Sequence, residues 1–156
     1  MNLKRNCKGN YLSGWFICLL WIVVPSACVE HNLDELSFST PYSKIVGTVY
    51  HTSTDLYAYG VYENLDRETV AYITLIPGVG IAGPEIAFKN RIAKGQEIKI
   101  LSAWREQGTM SGDVFYQVSM QDAGLPQGIQ VRIELARGNE GVDSGLNPQF
   151  YVKQTE

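Results

Sequence analysis

The chain has 156 residues, with 13 Lys+Arg against 16 Asp+Glu and a formal net charge of −3. Three of the basic residues (Lys4, Arg5 and Lys8) and none of the acids fall in the first 27 positions. The 129 residues from Cys28 onward therefore carry ten basic and sixteen acidic side chains, a net charge near −6. That length holds one domain with a real core and argues against two; the acidity argues against nucleic acid and against seating on an anionic lipid surface through charge.

The first predicted element is the apolar run 15–24, which follows the basic residues and leads into Pro25, Ser26, Ala27 and Cys28. A basic start, a short apolar stretch and small residues are the layout of a secretory signal peptide. The run has about ten apolar residues, half of the roughly 20 that span a bilayer. The ending resembles the lipobox of bacterial lipoproteins, although Pro25 stands where that family usually carries an aliphatic residue. The resemblance implies a cleaved precursor whose Cys28 is lipidated, palmitate-type acyl chains being its membrane contact. Val29 follows Cys28 where Asp would mark inner-membrane retention, so the resemblance implies the outer membrane. Cys7 and Cys18 precede the cleavage point, which leaves Cys28 as the one remaining cysteine. A lone thiol in an oxidising compartment has no disulfide partner, and thioether linkage to lipid removes it. The expected organisation is a signal peptide over 1–27, a lipid-anchored polar tether over 28–42 and an all-β domain over 43–156.

Strands are expected in order at 44–50, 56–62, 69–76, 97–104, 114–120 and 128–135, with 150–152 closing the sheet. The segment 128–135 alternates most cleanly: Ile129, Val131, Ile133 and Leu135 face in, and Gln130, Arg132 and Glu134 face out. Val114, Tyr116, Val118 and Met120 share one face of the preceding strand. Turn signals at Lys94 and Gly95, at Ser111 to Asp113, at Ala123 to Pro126 and at Gly138 to Gly141 separate these runs. Short strands closely spaced by turns predict a small antiparallel barrel or sandwich. The stretch 92–120, with Lys94 and Gly95 entering a strand that contains Ile98, Lys99, Ile100 and Leu101, resembles bacterial SH3-like domains. The closing Gly-Trp-Val of that family is missing.

Gly78, Gly80 and Gly83 satisfy G-x-G-x-x-G after a predicted strand, which resembles the first βαβ unit of flavin-dependent oxidoreductases. That resemblance implies a nucleotide- or flavin-binding enzyme. Against it, Ser102 occupies the place of the family's ribose-binding acid, and Ile86, Phe88 and Ile92 do not share a helical face. The competing expectation is a flexible glycine loop turning a short strand, 85–90, back into the sheet. His31 and His51 are the two histidines and lack zinc-ligand spacing; Asn139, Glu140, Asp143 and Asn147 do not match a calcium loop. No cofactor or metal is expected. Neither Ser111 near Asp113 nor Ser144 beside Asp143 has a nucleophile elbow around it.

Aromatic residues are the remaining candidates. Tyr57 and Tyr59 share a strand face and, with Trp104, offer a ligand-binding platform if exposed. The leading expectation is thus a non-enzymatic cell-envelope lipoprotein that binds a protein, peptide or glycan. A periplasmic inhibitor or immunity protein against a wall-degrading enzyme is the alternative. There an acidic loop, 137–141, would enter a basic cleft, with Glu140 as its key residue.

Overall fold

A computed structural model of the chain describes residues 33–64, 67–78, 80, 82–107, 113–121 and 124–155. The expected signal segment, Cys28, His31 and Ser111 lie outside the described residues. The protein is all-β: β1 (Leu33–Glu35), β2 (Val49–Thr52), β3 (Leu56–Tyr62), β4 (Val70–Pro77), β5 (Ile86–Ile92), β6 (Glu97–Glu106), β7 (Val114–Met120), β8 (Gln130–Glu134) and β9 (Tyr151–Lys153). They form one nine-stranded sheet in the order β5-β3-β4-β8-β7-β6-β2-β9, with β1 paired to the far end of β6. The sheet is open rather than a closed barrel, and β4 meets β8 in parallel where an antiparallel arrangement was expected. The stretch resembling SH3-like domains forms the β6–β7 antiparallel pair.

Two expectations need correction. Over 44–50 the chain first makes a 3-10 turn (Tyr42–Lys44) and enters β2 only at Val49. Ile45 and Val46 both donate backbone N–H bonds to the Tyr42 carbonyl while their side chains pack on the core, so apolar character here serves a turn and not a strand. The last two thirds of the expected tether, from Leu33 on, are docked. β1 pairs with β6, Leu36 and Tyr42 pack on the core, and the buried Ser37 hydroxyl accepts a 3.0 Å bond from the Ala103 amide. Elsewhere the expected strands form, and 85–90 joins the sheet as β5 antiparallel to β3.

The core lies on the concave face. Register pairing runs Phe88–Gly60–Ile73–Val131–Val118–Ile100 across six strands, and each of these except Gly60 belongs to the core cluster or packs on it. Gly60 is required where it stands, because a Cβ there would overlap the Phe88 ring. The ring lies flat across the missing side chain and fills the row from the neighbouring strand. The sheet curls enough for Leu56 of β3 to share one cluster with Tyr50 of β2 and Tyr151 of β9, near the opposite edge.

The register also slips once in β6, between Ile100 and Ser102. Simple alternation from Ile98 and Ile100 would place Ser102 and Trp104 inside. The bulge sends Leu101 out to 44% exposure, turns Ala103 into the core, and puts Ser102 and Trp104 on the convex face. At the free edge, β5 carries exposed Lys89 and Arg91, charges that disfavour pairing with another copy.

Gly60→Ala should cost about 1–3 kcal/mol of stability by overpacking. Trimming the ring with Phe88→Leu in the same chain should recover much of that loss in urea denaturation. A neutral Gly60→Ala would show that the ring does not occupy the glycine's space.

Candidate functional site

The convex face carries a second cross-strand row, offset by one residue from the core row except across the β6 bulge. It runs Lys89–Tyr59–Thr74–Arg132–Gln117–Ser102 over the same six strands. Tyr57 and Trp104 flank its two ends. The Tyr57 and Tyr59 ring centroids are 6.4 Å apart, and Lys89 Nζ sits 4.0 Å from the Tyr57 ring centre and 5.4 Å from that of Tyr59. At the other end Trp104 Nε1 donates to Ser102 Oγ at 2.7 Å, and Ser102 Oγ donates to Gln117 Oε1 at 3.2 Å. The three aromatic residues thus share a face, but Trp104 is separated from the tyrosines by β4, β8 and β7. Tyr59 is 1% exposed, its hydroxyl against the backbone of Gly80, and offers no surface to a ligand; Tyr57 and Trp104 are half-buried.

Arg132 is the centre of this row and is 8% exposed, although alternation places it outward. Its guanidinium lies over the Tyr72 ring and 4.8 Å from the centre of Phe115, a double cation–π contact. Glu134 Oε1 is 3.7 Å from Arg132 Nε, while its other oxygen takes the Arg137 guanidinium. Burial raises the Tyr72 phenol above its usual pKa, against the opposing pull of the Arg132 charge. Three polar atoms of the row, Tyr59 Oη, Thr74 Oγ1 and Arg132 Nε, are buried without a hydrogen-bond partner. The convex face is therefore a second packed layer and not a polar exterior.

The protruding element lies elsewhere, in the segment 138–147 between β8 and β9. Asn139, 0% exposed, is its root. Its Nδ2 donates to the Leu75 carbonyl at 3.2 Å and the Glu134 carbonyl at 3.0 Å, and its Oδ1 accepts from Tyr151 Oη at 2.8 Å. Above it the chain doubles back: Glu140 and Leu146 form an antiparallel bridge, Gly141 N–H donates to the Gly145 carbonyl at 2.7 Å, and Asn147 N–H donates to that of Asn139 at 2.7 Å. Tyr116 Oη donates to the Ser144 carbonyl from the core side. A Cβ on Gly141 would run into the Leu146 carbonyl, which is why a glycine starts the loop.

The tip is strained and exposed. Asp143 (φ 53°) and Ser144 (φ 61°) are consecutive non-glycine residues in the left-handed region. Val142, beside them, is 83% exposed. Beside it a depression of about 320 Å³ is lined by Ile45, Tyr50, Val142, Leu146 and Pro148, with Lys153 on its edge. Glu140 is exposed, as an inserting acid would have to be, but it stands at the root of the loop; Val142, Asp143 and Ser144 form the tip. Sequence reasoning passed over Val142. The available signal was one apolar residue isolated in a glycine-rich polar turn.

The glycine motif has no helix behind it. After Gly83 the chain enters β5, so no helix N-terminus points at a pyrophosphate. Among the described residues no three His, Cys, Asp or Glu side chains gather where they could hold a metal ion. Asn139 and Asn147, expected above not to form a calcium loop, have their side-chain oxygens engaged, the first accepting from Tyr151 Oη and the second from the Gln149 N–H. No family model, curated protein or solved structure matches the chain.

Thr74→Val replaces a buried hydroxyl that has no partner by a methyl of the same shape. It should raise stability by about 1 kcal/mol in urea denaturation; a loss instead would assign the hydroxyl a bond to water or ligand. Tyr151→Phe leaves Asn139 Oδ1 unsatisfied and should cost about 1–3 kcal/mol. Burial raises the Tyr151 and Tyr116 phenols well above their usual value of 10. The unfolded chain then loses these protons first, so stability is intact below about pH 10 and falls as pH rises beyond it. Removing the Tyr151 hydroxyl should make that alkaline slope shallower, measured as Tm against pH.

Proposed function

We propose that this chain is an exported cell-envelope lipoprotein, anchored in the outer membrane through Cys28 and facing the periplasm. Its all-β domain is a non-enzymatic module that binds a protein partner. The observation that carries the binding reading is the loop 140–146. A buried asparagine, a tyrosine hydroxyl and backbone bonds at both ends hold an exposed apolar side chain at a strained tip. Left-handed backbone in a residue with a side chain costs of order 1 kcal/mol, and folds retain it where the geometry is used. A loop fixed before contact loses little conformational entropy on binding. The anchor rests on the basic start, apolar run and lipobox-like ending at Ser26, Ala27 and Cys28. Several acyl chains together hold a protein stably in a bilayer, since each buried methylene adds about 0.8 kcal/mol.

Two measurements test the proposal. The intact mass of the chain isolated from membranes should begin at Cys28 and include acyl chains, and Cys28→Ser should abolish both the mass shift and the membrane fraction. An unmodified chain in the soluble fraction overturns the anchor. A photo-crosslinking residue at position 142, introduced in cells, should give one discrete adduct that the same residue at the exposed position 101 does not give. Equal labelling at both positions, or none at 142, overturns the binding reading.

A further inference from the structure

We infer that the turn 36–40 is a membrane-contact element: the Phe38 ring inserts into the surface of the bilayer that holds the Cys28 anchor, and so fixes which side of the domain faces the lipid. The inference rests on the anchored reading above and adds a second, non-covalent contact with the same bilayer. Phe38 is 88% exposed, the most exposed large apolar side chain among the described residues. The turn that carries it is held on both sides. Leu36 N–H donates to the Ala103 carbonyl at 2.8 Å, and the buried Ser37 hydroxyl accepts from the Ala103 N–H. Ser39 gives both its N–H and its hydroxyl to the Leu36 carbonyl, at 2.9 and 2.8 Å, and the Ser39 carbonyl accepts from the Ser43 N–H. Leu36 and Tyr42 pack on the core before and after it. A turn already formed thus presents the ring to solvent, and little conformational entropy is lost when the ring is buried.

Reach selects the bilayer as the occupant. From Cys28 to Leu33 is five residues, at most about 18 Å however the chain runs. A domain of this length has a radius of gyration of about 14 Å, so the link is shorter than the domain is wide. An anchored chain therefore keeps β1 beside the lipid, and Phe38 follows Leu33 by only five more residues. Exposed apolar side chains gather on that side. Of the five large ones among the described residues, Leu33 begins β1, Phe38 follows it, and Leu101 lies on β6, the strand with which β1 pairs. Because that pair is antiparallel, the chain from Leu36 to Phe38 runs in the direction that leads from Ala103 to Leu101.

Charge permits the approach. The domain is acidic, with a net charge near −6 from Cys28 onward, yet residues 36–54 contain no acid. Exposed Ser39, Thr40 and Ser43 follow Phe38, and exposed Lys44 is the first charge after it. Hydroxyls and a single cation suit a headgroup layer, which would repel carboxylates if it were anionic. Burying a phenylalanine side chain favours the inserted over the withdrawn state roughly ten- to a hundredfold. One ring would not hold a free protein on a membrane. On an anchored chain the second contact is intramolecular, and that ratio is enough to set the orientation.

The test uses the full chain isolated from cells with its anchor, reconstituted in phosphatidylcholine vesicles that carry a nitroxide quencher high on the acyl chain. A thiol-reactive fluorophore is placed on Thr40→Cys, beside the ring, or on Glu68→Cys in the β3–β4 loop, which β7 and β8 separate from β6. The nitroxide lipid should quench the probe at 40 and leave the probe at 68 bright. Phe38→Ser should lower the inserted-to-withdrawn ratio at position 40 roughly tenfold or more, and Phe38→Trp should preserve it. High salt should not change the quenching, because the contact is apolar. Thermal melting of each variant separates lost insertion from lost fold. A chain that floats with the vesicles but is not quenched at 40 overturns the insertion and leaves the anchor standing. Equal quenching at 40 and 68, or undiminished quenching in folded Phe38→Ser, also overturns it. A photo-crosslinking residue at 38 that labels a protein in cells and no lipid assigns the turn to a protein partner instead. A chain without acyl groups that does not float overturns the anchor and the insertion together.

Discussion

The amide of Asn139 holds this molecule in its curl. Its nitrogen donates to carbonyls of β4 and of the residue ending β8, both at the middle of the sheet, and its oxygen accepts from Tyr151 on β9, the far edge strand. No strand pairing joins those two regions, since the sheet is open. One side chain with two donor hydrogens and one acceptor does so instead, buried where the low dielectric strengthens each bond. An aspartate of the same shape has no hydrogens to give to the two carbonyls, and an alanine would leave all three groups unpaired. The loop, the curl and the burial of Tyr151 all depend on that amide.

The sheet is packed on both faces at its middle, and this decides where exposed chemistry can occur. The core row ending in Ile100 and the convex row ending in Ser102 occupy adjacent residues on every strand they cross except β6, where the bulge at Leu101 separates them. With Arg132 held between Tyr72 and Phe115, the middle of the convex row gives up its charge to internal contacts. What remains for a partner is at the ends of strands, where Val142 in the loop 140–146 is 83% exposed.

Much of the fold was legible because period-two alternation is a direct imprint of a pleated sheet. Val114, Tyr116, Val118 and Met120 share the core face as their spacing requires, and Ile129, Val131, Ile133 and Leu135 do the same. The spacing predicts sides; it does not predict what covers a side. Arg132 was rightly placed outward and is nevertheless buried, because aromatic side chains of neighbouring strands close over it. Trp104 reached the convex face through the bulge at Leu101, a one-residue insertion that leaves no mark in composition. Apolar residues 45 and 46 read as strand, since burial on a turn and burial on a strand look alike over so few positions. Of the site, Glu140 and the glycine turn were visible, whereas Val142 gained its meaning from Tyr116 and from the Leu75 and Tyr151 partners of Asn139, which lie apart from it in the chain.

The parallel junction of β4 with β8 bears on how the chain reaches this shape. β3, β4 and β5 can pair as soon as they exist, but Thr74 waits for Arg132, and β5, β6 and β7 lie between them in the chain. Until then β4 presents a bare edge with Ile73, Leu75 and Ile76 beside it. Long-range pairing of this kind is slow, and an uncovered apolar edge is the usual seed of aggregation. As the chain emerges from its N-terminus, the first half stands with this strand open until β8 is made. Such a chain gains most from a holding chaperone for as long as β8 takes to arrive.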